Sequence, residues 1–151
     1  MLAIEPPRVG RVYHWLIEDL MSRRSNDVTK WVDGDTWEDR WARKLHYKRL
    51  DDHYPDVVDS IRENGFIRPL DATTHFTRET DDSEGMVRLS DGHHRFAAAI
   101  DLGYEAIPVY LNETARVAPD SGDWKMGMTV SSRAGISYTD RPSDYSGEVT
   151  W

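Results

Sequence analysis

The sequence predicts an α+β fold, a small mixed sheet with helices that follows an N-terminal helical extension and precedes a polar C-terminal arm. Apolar residues recur at three- and four-residue spacing over 9–23, which is typical of an amphipathic helix. From residue 51 the pattern becomes helix, strand, strand, helix, strand, and after Leu111 single apolar residues are scattered among Ser and Gly. We therefore expect a helical extension over 1–49, a core over 50–111 and an arm over 112–151.

The helices have local start and stop signals. Asp35 can cap a second helix while Glu38 closes a capping box. Trp37, Trp41 and Leu45 then fall on one face of that helix. The other predicted helices are 54–63, ended by Asn64-Gly65 with a left-handed cap, and 95–102, rich in alanine and stopped by Gly103.

Three strands are predicted in the core. Arg68 precedes a proline and is therefore pushed out of helical geometry, so Leu70 to Phe76 is expected to be extended. The acidic stretch 77–85 reads as a hairpin loop, and Met86 to Ser90 returns as the second strand. The third strand is 106–111, and its Pro108 predicts an edge position or a bulge.

The composition excludes several classes of protein. The 151 residues suffice for one domain with a real core, and the lack of cysteine excludes disulfides, thiolate zinc sites and a cysteine nucleophile. The formal net charge of −8 argues against binding nucleic acid by bulk charge alone. Because no apolar run approaches the roughly 20 residues of a membrane span, and the first residues lack a signal peptide's form, we expect a cytoplasmic protein.

The acidic charge is concentrated in the core. Residues 1–50 carry ten Lys/Arg against eight Asp/Glu, whereas 51–111 carry five against thirteen and 112–151 carry four against six. A phosphate site in the core must therefore depend on local amides, individual cationic side chains and Mg²⁺.

Residues 89–99 read as a strand end, a glycine turn and a helix N-terminus. The first turn of a helix presents unpaired N–H groups and the positive end of the dipole, so it receives anions. Gly92 permits a close backbone approach, and His94 and Arg95 can add charge-assisted hydrogen bonds to phosphate oxygens. The alternative is a capped helix with Asp91 as its N-cap and with polar, exposed histidines.

Asp91 helps to choose between these interpretations. A carboxylate about 4 Å from a phosphate oxygen is repelled by roughly 4 kcal/mol at an effective dielectric near 20. If phosphates bind here, Asp91 must point away, bridge through Mg²⁺, or act as a base toward an incoming hydroxyl.

Two blocks of the sequence resemble the ParB/sulfiredoxin superfamily. Residues 56–70 (DVVDSIRENGFIRPL) are similar to its helix followed by Ile-Arg-Glu-x-Gly and x-Pro-Ile/Leu. Residues 91–98 (DGHHRFAA) resemble the Gly-Glu-Arg-Arg box of ParB and the Gly-Cys-His-Arg-Tyr-Ala-Ala box of sulfiredoxin, and 107–109 (IPV) follow in order. The resemblance covers 50–111.

The resemblance implies a small α+β domain whose helix-opening box holds nucleotide phosphates, of CTP in ParB and of ATP in sulfiredoxin. The matching positions are Gly92, His94 and Arg95 in the phosphate-holding part, Ser60 as a small hydroxyl residue that contacts nucleotide in sulfiredoxin, and Arg68 and Pro69 in the loop that closes over it in ParB. In the related free serine kinases an Asp-Gly-His box serves phosphoryl transfer, which makes Asp91 and His93 the candidate catalytic residues.

The departures from the superfamily narrow the function. His93 stands where sulfiredoxin has its catalytic cysteine, so that sulfur chemistry is excluded. Only forty polar residues follow the core, where ParB continues into a helix-turn-helix region, so DNA reading in the ParB manner is unsupported. Small phage-encoded members carry the domain name ParB-like nuclease, and this chain resembles them in size.

The first hypothesis is thus a nucleotide-binding phosphotransferase or NTP hydrolase that uses an ATP- or CTP-type nucleotide with Mg²⁺. The second is a non-catalytic module in DNA transactions or in contact with a host partner. A nuclease is the weakest hypothesis, because an acidic chain has few cationic side chains with which to bind the phosphates of DNA. The tail aromatics Tyr138, Tyr145 and Trp151 could serve a protein partner or a homo-oligomer.

Other candidate sites were weighed. Arg40, Lys44 and Lys48 form a basic row, favoured as a solvated face over a phosphate contact. The tryptophans of the first helices are favoured as core over base stacking. The six histidines show no ligand spacing, so no structural metal is predicted, and neighbouring His93 and His94 are expected to point in different directions.

Two further groupings were discounted. Ser90, Asp91 and His93 have the residue types of a hydrolytic triad, but sequence neighbours rarely meet in that geometry. The carboxylates Asp81, Asp82 and Glu84 are favoured as a solvated hairpin tip over a cation site.

Overall fold

A four-stranded mixed sheet organises the chain in a computed structural model that describes residues 10–73 and 87–112. The strands are β1 (Val12–Leu16), β2 (Leu70–Thr73), β3 (Arg88–Asp91) and β4 (Ala106–Leu111), and the helices of this part of the chain are α1 (Ile17–Leu20), α2 (Trp37–Arg49), α3 (Tyr54–Asn64) and α4 (His93–Asp101). The strand order is β1-β4-β2-β3. Strand β2 runs parallel to β4, and the other two pairs are antiparallel. The predicted α+β class is confirmed.

The predicted helix over 9–23 is wrong. Residues 12–16 form strand β1, which pairs with β4 from Val12↔Tyr110 to Leu16↔Ala106, and only Ile17–Leu20 is helical. Val12 to Trp15 are all buried, including the polar His14, so the segment is buried on both faces. A short run of bulky residues that are buried on both faces fits a strand and a helix equally well, and the pairing with β4 makes this one a strand. The segment predicted as a helical extension thus adds a strand to the sheet.

The predicted edge position of Pro108 is also wrong, because β4 lies between β1 and β2. Leu111 donates its N–H to Arg11, so the odd-numbered residues of β4 bond toward β1 and the even-numbered ones face β2. The pairing with β2 begins at Val109, one residue after Pro108. The missing N–H of Pro108 therefore costs the sheet no hydrogen bond, and a central strand tolerates the proline.

The helices begin near the predicted residues. Thr36, not Asp35, caps α2, with its side chain accepting the Asp39 N–H at 3.1 Å. Helix α3 ends as predicted at Gly65, which has φ 68°. Helix α4 begins at His93, two residues earlier than predicted. This earlier start makes both histidines of the box part of the first helical turn.

The core lies between the sheet and helices α2–α4. Trp15, Trp41, Phe66 and Phe96 are among its largest fully buried side chains. The prediction that the tryptophans form core is confirmed for Trp15 and Trp41, whereas Trp31 is 77% exposed. The three alanines of α4 are fully buried, which lets that helix pack closely against α2 and α3.

Several predictions fall outside the described residues. They concern the end of the first predicted strand (74–76), the start of the second at Met86, the acidic loop with Asp81, Asp82 and Glu84, and the C-terminal arm with Tyr138, Tyr145 and Trp151. Among the described residues, no helix has the length and apolarity needed to cross a membrane.

Candidate functional site: the N-terminus of helix α4

The turn between β3 and α4 depends on Gly92. Its φ is 100°, in the left-handed region, and it is the N-cap of α4 without a side-chain cap. A Cβ at this position would lie 2.7 Å from Cγ of Leu70, so no larger residue fits without movement. The first helical bond runs from Phe96 N to Gly92 O at 2.8 Å. The first turn therefore presents amides that the helix itself leaves unpaired. The unusual turn predicted for Gly92 is thus confirmed, whereas the close approach of its backbone to an anion stays a prediction.

Asp91 does not cap the helix. It is the last residue of β3, and its Oδ1 accepts the Gly92 N–H at 2.8 Å. Asp71 lies opposite it in the β2–β3 register. Burial, and then the neighbouring Asp91 carboxylate, raise the pKa of Asp71. Two neighbouring carboxylates repel each other unless they share a proton or a cation, so this pair is a place where a hard cation would be stabilised.

His93 turns into the core. Its Nε2 lies 2.7 Å from the Ser25 Oγ, its Nδ1 lies 3.4 Å from Oδ2 of Asp27, and its ring stacks on Trp41 at 5.6 Å between centroids. Burial lowers the pKa of His93 to about 4, so the imidazole is neutral at pH 7.

The Ser25 oxygen also accepts the backbone N–H groups of Asp27 and Val28. Its hydroxyl proton is thus left to bond to Nε2 of His93, which places the imidazole proton on Nδ1, toward Asp27. Ser25, His93 and Asp27 have the order of a hydrolytic triad, but Ser25 is fully buried and its oxygen is occupied. The arrangement is therefore structural, and the triad that involved Ser90 is not formed around this ring.

His94 turns outward, which confirms that the two histidines point in different directions. Its Nε2 lies 2.5 Å from Oδ2 of Asp51, and its ring centroid is 4.6 Å from that of His53. The hydrogen bond with His94 lowers the pKa of Asp51. The first turn of α4 is thus fixed to the α2–α3 connection.

Arg95 connects α4 to the loop before β2. Its Nη1 donates to the carbonyl oxygens of Arg68 at 2.8 Å and Pro69 at 3.3 Å. Its Nη2 lies beside Gly92, 3.2 Å from where a Cβ would stand. Burial lowers the pKa of Arg95, with Asp91 and Asp71 opposing that shift. The guanidinium is therefore held between the predicted loop and the predicted phosphate turn.

Two concavities meet at Arg95. The first, of about 310 Å³, is lined by Asp27, Lys48 and residues 91–95. The second, also of about 310 Å³, is lined by Ser60, Ile61, residues 65–68 and Arg95. Most of the predicted site residues therefore line one or other of two concavities that share Arg95, whereas Pro69 is buried and contributes its carbonyl oxygen to Arg95.

Asp27 and Lys48 line the first concavity although no motif in the sequence marks either of them as a site residue. Asp27 pairs with Lys48 at 2.9 Å, and both line the wall beside the α4 turn. Of the basic row, Arg40 packs on the Trp37 ring and donates to the Val32 carbonyl, so the row is not one free stripe. The less favoured interpretation of that row, as a phosphate contact, is the only feature of the sequence that points to Lys48.

No protein-family model matches the chain, and a search of the curated proteins found no match. Among solved structures, the chain is similar to sulfiredoxin from Arabidopsis thaliana, with a TM-score of 0.39 and 19% identity over 71% of this chain and 85% of that one.

It is also similar to a C-terminally truncated chromosome-partitioning protein ParB from Caulobacter crescentus, solved with CTP-γ-S. That match has a TM-score of 0.39 and 19% identity over 76% of this chain, and it spans about half of the ParB chain (49%). These are the two families whose boxes the sequence resembles. At this identity and TM-score the likeness concerns the fold and says nothing about ligand or reaction.

Proposed function

We propose that the chain binds a nucleotide across the two concavities that meet at Arg95, with the phosphates at the N-terminus of α4. The observation that supports this most directly is that Arg95 borders both an uncapped helix N-terminus, which Lys48 also flanks, and a more apolar groove. A nucleotide has the same division, an anionic end and an aromatic base.

The phosphate end depends on local positive charge. The free amides of the first turn of α4 point at an anion placed there, and the helix dipole favours it. Lys48 and Arg95 add cationic side chains from two other directions. Because residues 51–111 are acidic, these contacts must outweigh a repulsive general field, which makes each of them individually important.

The base and ribose are assigned to the second concavity. Ile61 and Phe66 provide its buried apolar floor, and half-exposed Ile67 stands at its edge. Ser60 and Arg68 are exposed beside them and offer a hydroxyl and a guanidinium to ribose or base edges. A mostly apolar groove with a few polar groups is the usual lining of a small-molecule site.

For catalysis we assign Asp91 the reactive role, in a phosphotransferase or NTP hydrolase. One of its oxygens bonds to the Gly92 amide, and its position next to Asp71 suits a Mg²⁺ ion, which prefers carboxylate oxygens. Mg²⁺, when bound, would neutralise phosphate charge. The Asp91 carboxylate would accept the proton of the attacking hydroxyl as its oxygen bonds to the terminal phosphorus and the bond to the leaving phosphate breaks.

His93 is assigned a positioning role in place of the proton transfer predicted from the sequence. It is 3% exposed, its Nε2 bonds to Ser25 and its Nδ1 faces Asp27. Because both nitrogens are engaged, the ring fixes the first turn of α4 against the loop that carries Ser25 and Asp27.

The proposal is tested by measuring the melting temperature and the heat of binding with ATP, CTP and ADP, each with Mg²⁺. A ligand that binds only the folded state increases the free energy of unfolding by mass action, by roughly 2.7 kcal/mol at a hundredfold excess over Kd. The melting temperature therefore rises. At least one nucleotide should bind, and Arg95→Ala should abolish the effect. Silence across the whole panel at millimolar concentration would overturn the proposal.

Two variants guard this test against a folding artefact. Lys48→Met keeps the aliphatic stem and removes the charge, so it should weaken binding about fivefold to tenfold. Arg62→Ala is the matched control, because Arg62 is exposed and pairs with Asp59 on α3, outside both concavities. Equal weakening by Arg62→Ala would show a general charge effect instead of this site.

Asp91→Asn should spare binding and stop turnover.

A further inference from the structure

Asp51, His53 and His94 form a second cluster at the rim of the first concavity. One ligand atom from each residue lies within 4.8 Å of those of the other two. Asp51 and His53 belong to the connection between α2 and α3, and His94 is in the first turn of α4. In the part of the chain that the structure describes, no other group of three histidines and carboxylates converges in this way.

The connection that carries Asp51 and His53 is clamped to α4 on both sides. Asp101, the last residue of α4, accepts from Arg49 at 3.1 Å and from the Tyr54 hydroxyl at 2.5 Å. Arg49 ends α2 and Tyr54 begins α3, so these bonds bracket the residues between them. The backbone of His94 and that of its two partners are therefore held at a fixed separation before any ligand arrives, as a preformed site requires.

We propose that Asp51, His53 and His94 bind a divalent transition-metal ion of the Zn²⁺ class. Two imidazoles and one carboxylate are the donors that zinc takes in open, three-ligand sites, whereas an ion such as Mg²⁺ prefers oxygen alone. Ligand atoms around a tetrahedral zinc stand about 3.3 Å apart, from metal–ligand distances of about 2.0 Å. Small rotations reach that spacing, because Asp51 and His53 are exposed.

The ion would replace the hydrogen bond between His94 Nε2 and Asp51 as the link between these side chains. His94 also lines the first concavity, so the ion would be held beside that concavity, where a water could serve as its fourth ligand. The metal site is distinct from the Asp91–Asp71 pair and does not depend on nucleotide binding. Its occupation would add positive charge beside the phosphate end.

The test uses the full chain without a histidine tag and the metals alone. Titration with Zn²⁺, followed by calorimetry, should show one ion bound at this site, and Co²⁺ should give the visible absorption of a low-coordinate imidazole site. Mg²⁺ should give no comparable heat. His94→Ala and His53→Ala should each weaken Zn²⁺ binding roughly tenfold or more, since even losing an outer-shell partner costs 10- to 100-fold.

Asp51→Asn is a nearly isosteric second variant, which keeps the side-chain volume and removes the anionic ligand. His46→Ala is the matched control, because His46 is exposed on α2 and stacks edge-on with Tyr47 away from the cluster. Unchanged affinity in the three cluster variants, or equal weakening by His46→Ala, would overturn the metal site. Because nucleotide binding is measured without Zn²⁺, its failure and that of the metal site are separately visible.

Discussion

His93 and His94 are adjacent in sequence, but their side chains leave the same helical turn in different directions, one toward the core and one toward the surface. His93 faces Ser25 and Trp41 in the core and is 3% exposed, whereas the side chain of His94 is 25% exposed and faces Asp51. Because neighbouring side chains on a helix point about 100° apart, the ring of His93 is buried in the core while that of His94 stays at the surface. The inner side of the turn builds the site, and the outer side is available to ligands.

The strongest test of this contrast removes each ring in turn. His93→Ala deletes a stacked, buried ring and takes away the hydrogen-bond partner of the Ser25 hydroxyl, so we expect a loss of about 2–4 kcal/mol in the free energy of unfolding. His94→Ala removes a partly exposed pair and should cost less than about 1 kcal/mol. Urea denaturation measures both, and similar losses would mean that the two sides are not different.

A second test addresses the turn that sets the two sides apart. Gly92→Ala should cost about 1–3 kcal/mol from backbone strain, and more from the contact with Leu70, whose Cγ would be 2.7 Å from the new Cβ. Gly103→Ala is the matched control, because Gly103 has a similar φ of 85° but no atom within 4 Å of its Cβ position. If both variants lose the same stability, the close approach to Leu70 has no energetic weight.

The sequence predicts the part of this contrast that is local. The glycine turn, the helix after it and the divergence of the two histidines follow from spacing within residues 91–103, and the structure has them. The predicted start of α4, Arg95, is two residues later than the observed start, His93. The alanines of this helix are a clearer helical signal than the histidines before them.

The remaining parts come from distant segments. Ser25 meets His93 across 68 residues and Asp51 meets His94 across 43, so no local pattern indicates either contact. They arise because β1 joins the sheet and α2 packs on α4, and β1 itself was predicted as a helix. Because the sequence pattern does not identify β1 as a strand, it cannot place the loop that supplies Ser25 and Asp27 beside α4.

The smallest effect expected is the part of the pH dependence of stability that His93, the inner histidine, contributes. The imidazole of His93 has a pKa of about 4 in the folded protein, against 6.5 as its ordinary value. Between these values the unfolded chain binds the proton and the folded chain does not, so stability falls as the pH falls through this window. The slope approaches 1.36 kcal/mol per pH unit, which gives roughly 1 kcal/mol between pH 6.5 and 5.5.

The other titratable groups either titrate outside this pH window or contribute equally to the unmodified chain and to His93→Gln. Their contributions therefore cancel when the two slopes are compared. Asp27 and Asp101 have pKa values lowered from 3.8, so they stay ionised throughout this window. His93→Gln lacks the titrating ring and should show a flatter dependence in urea denaturation at pH 5.5 and 6.5, whatever its absolute stability. Equal slopes in the unmodified chain and in His93→Gln would mean that His93 is charged in the fold, and the distinction between an inner and an outer histidine would then be wrong.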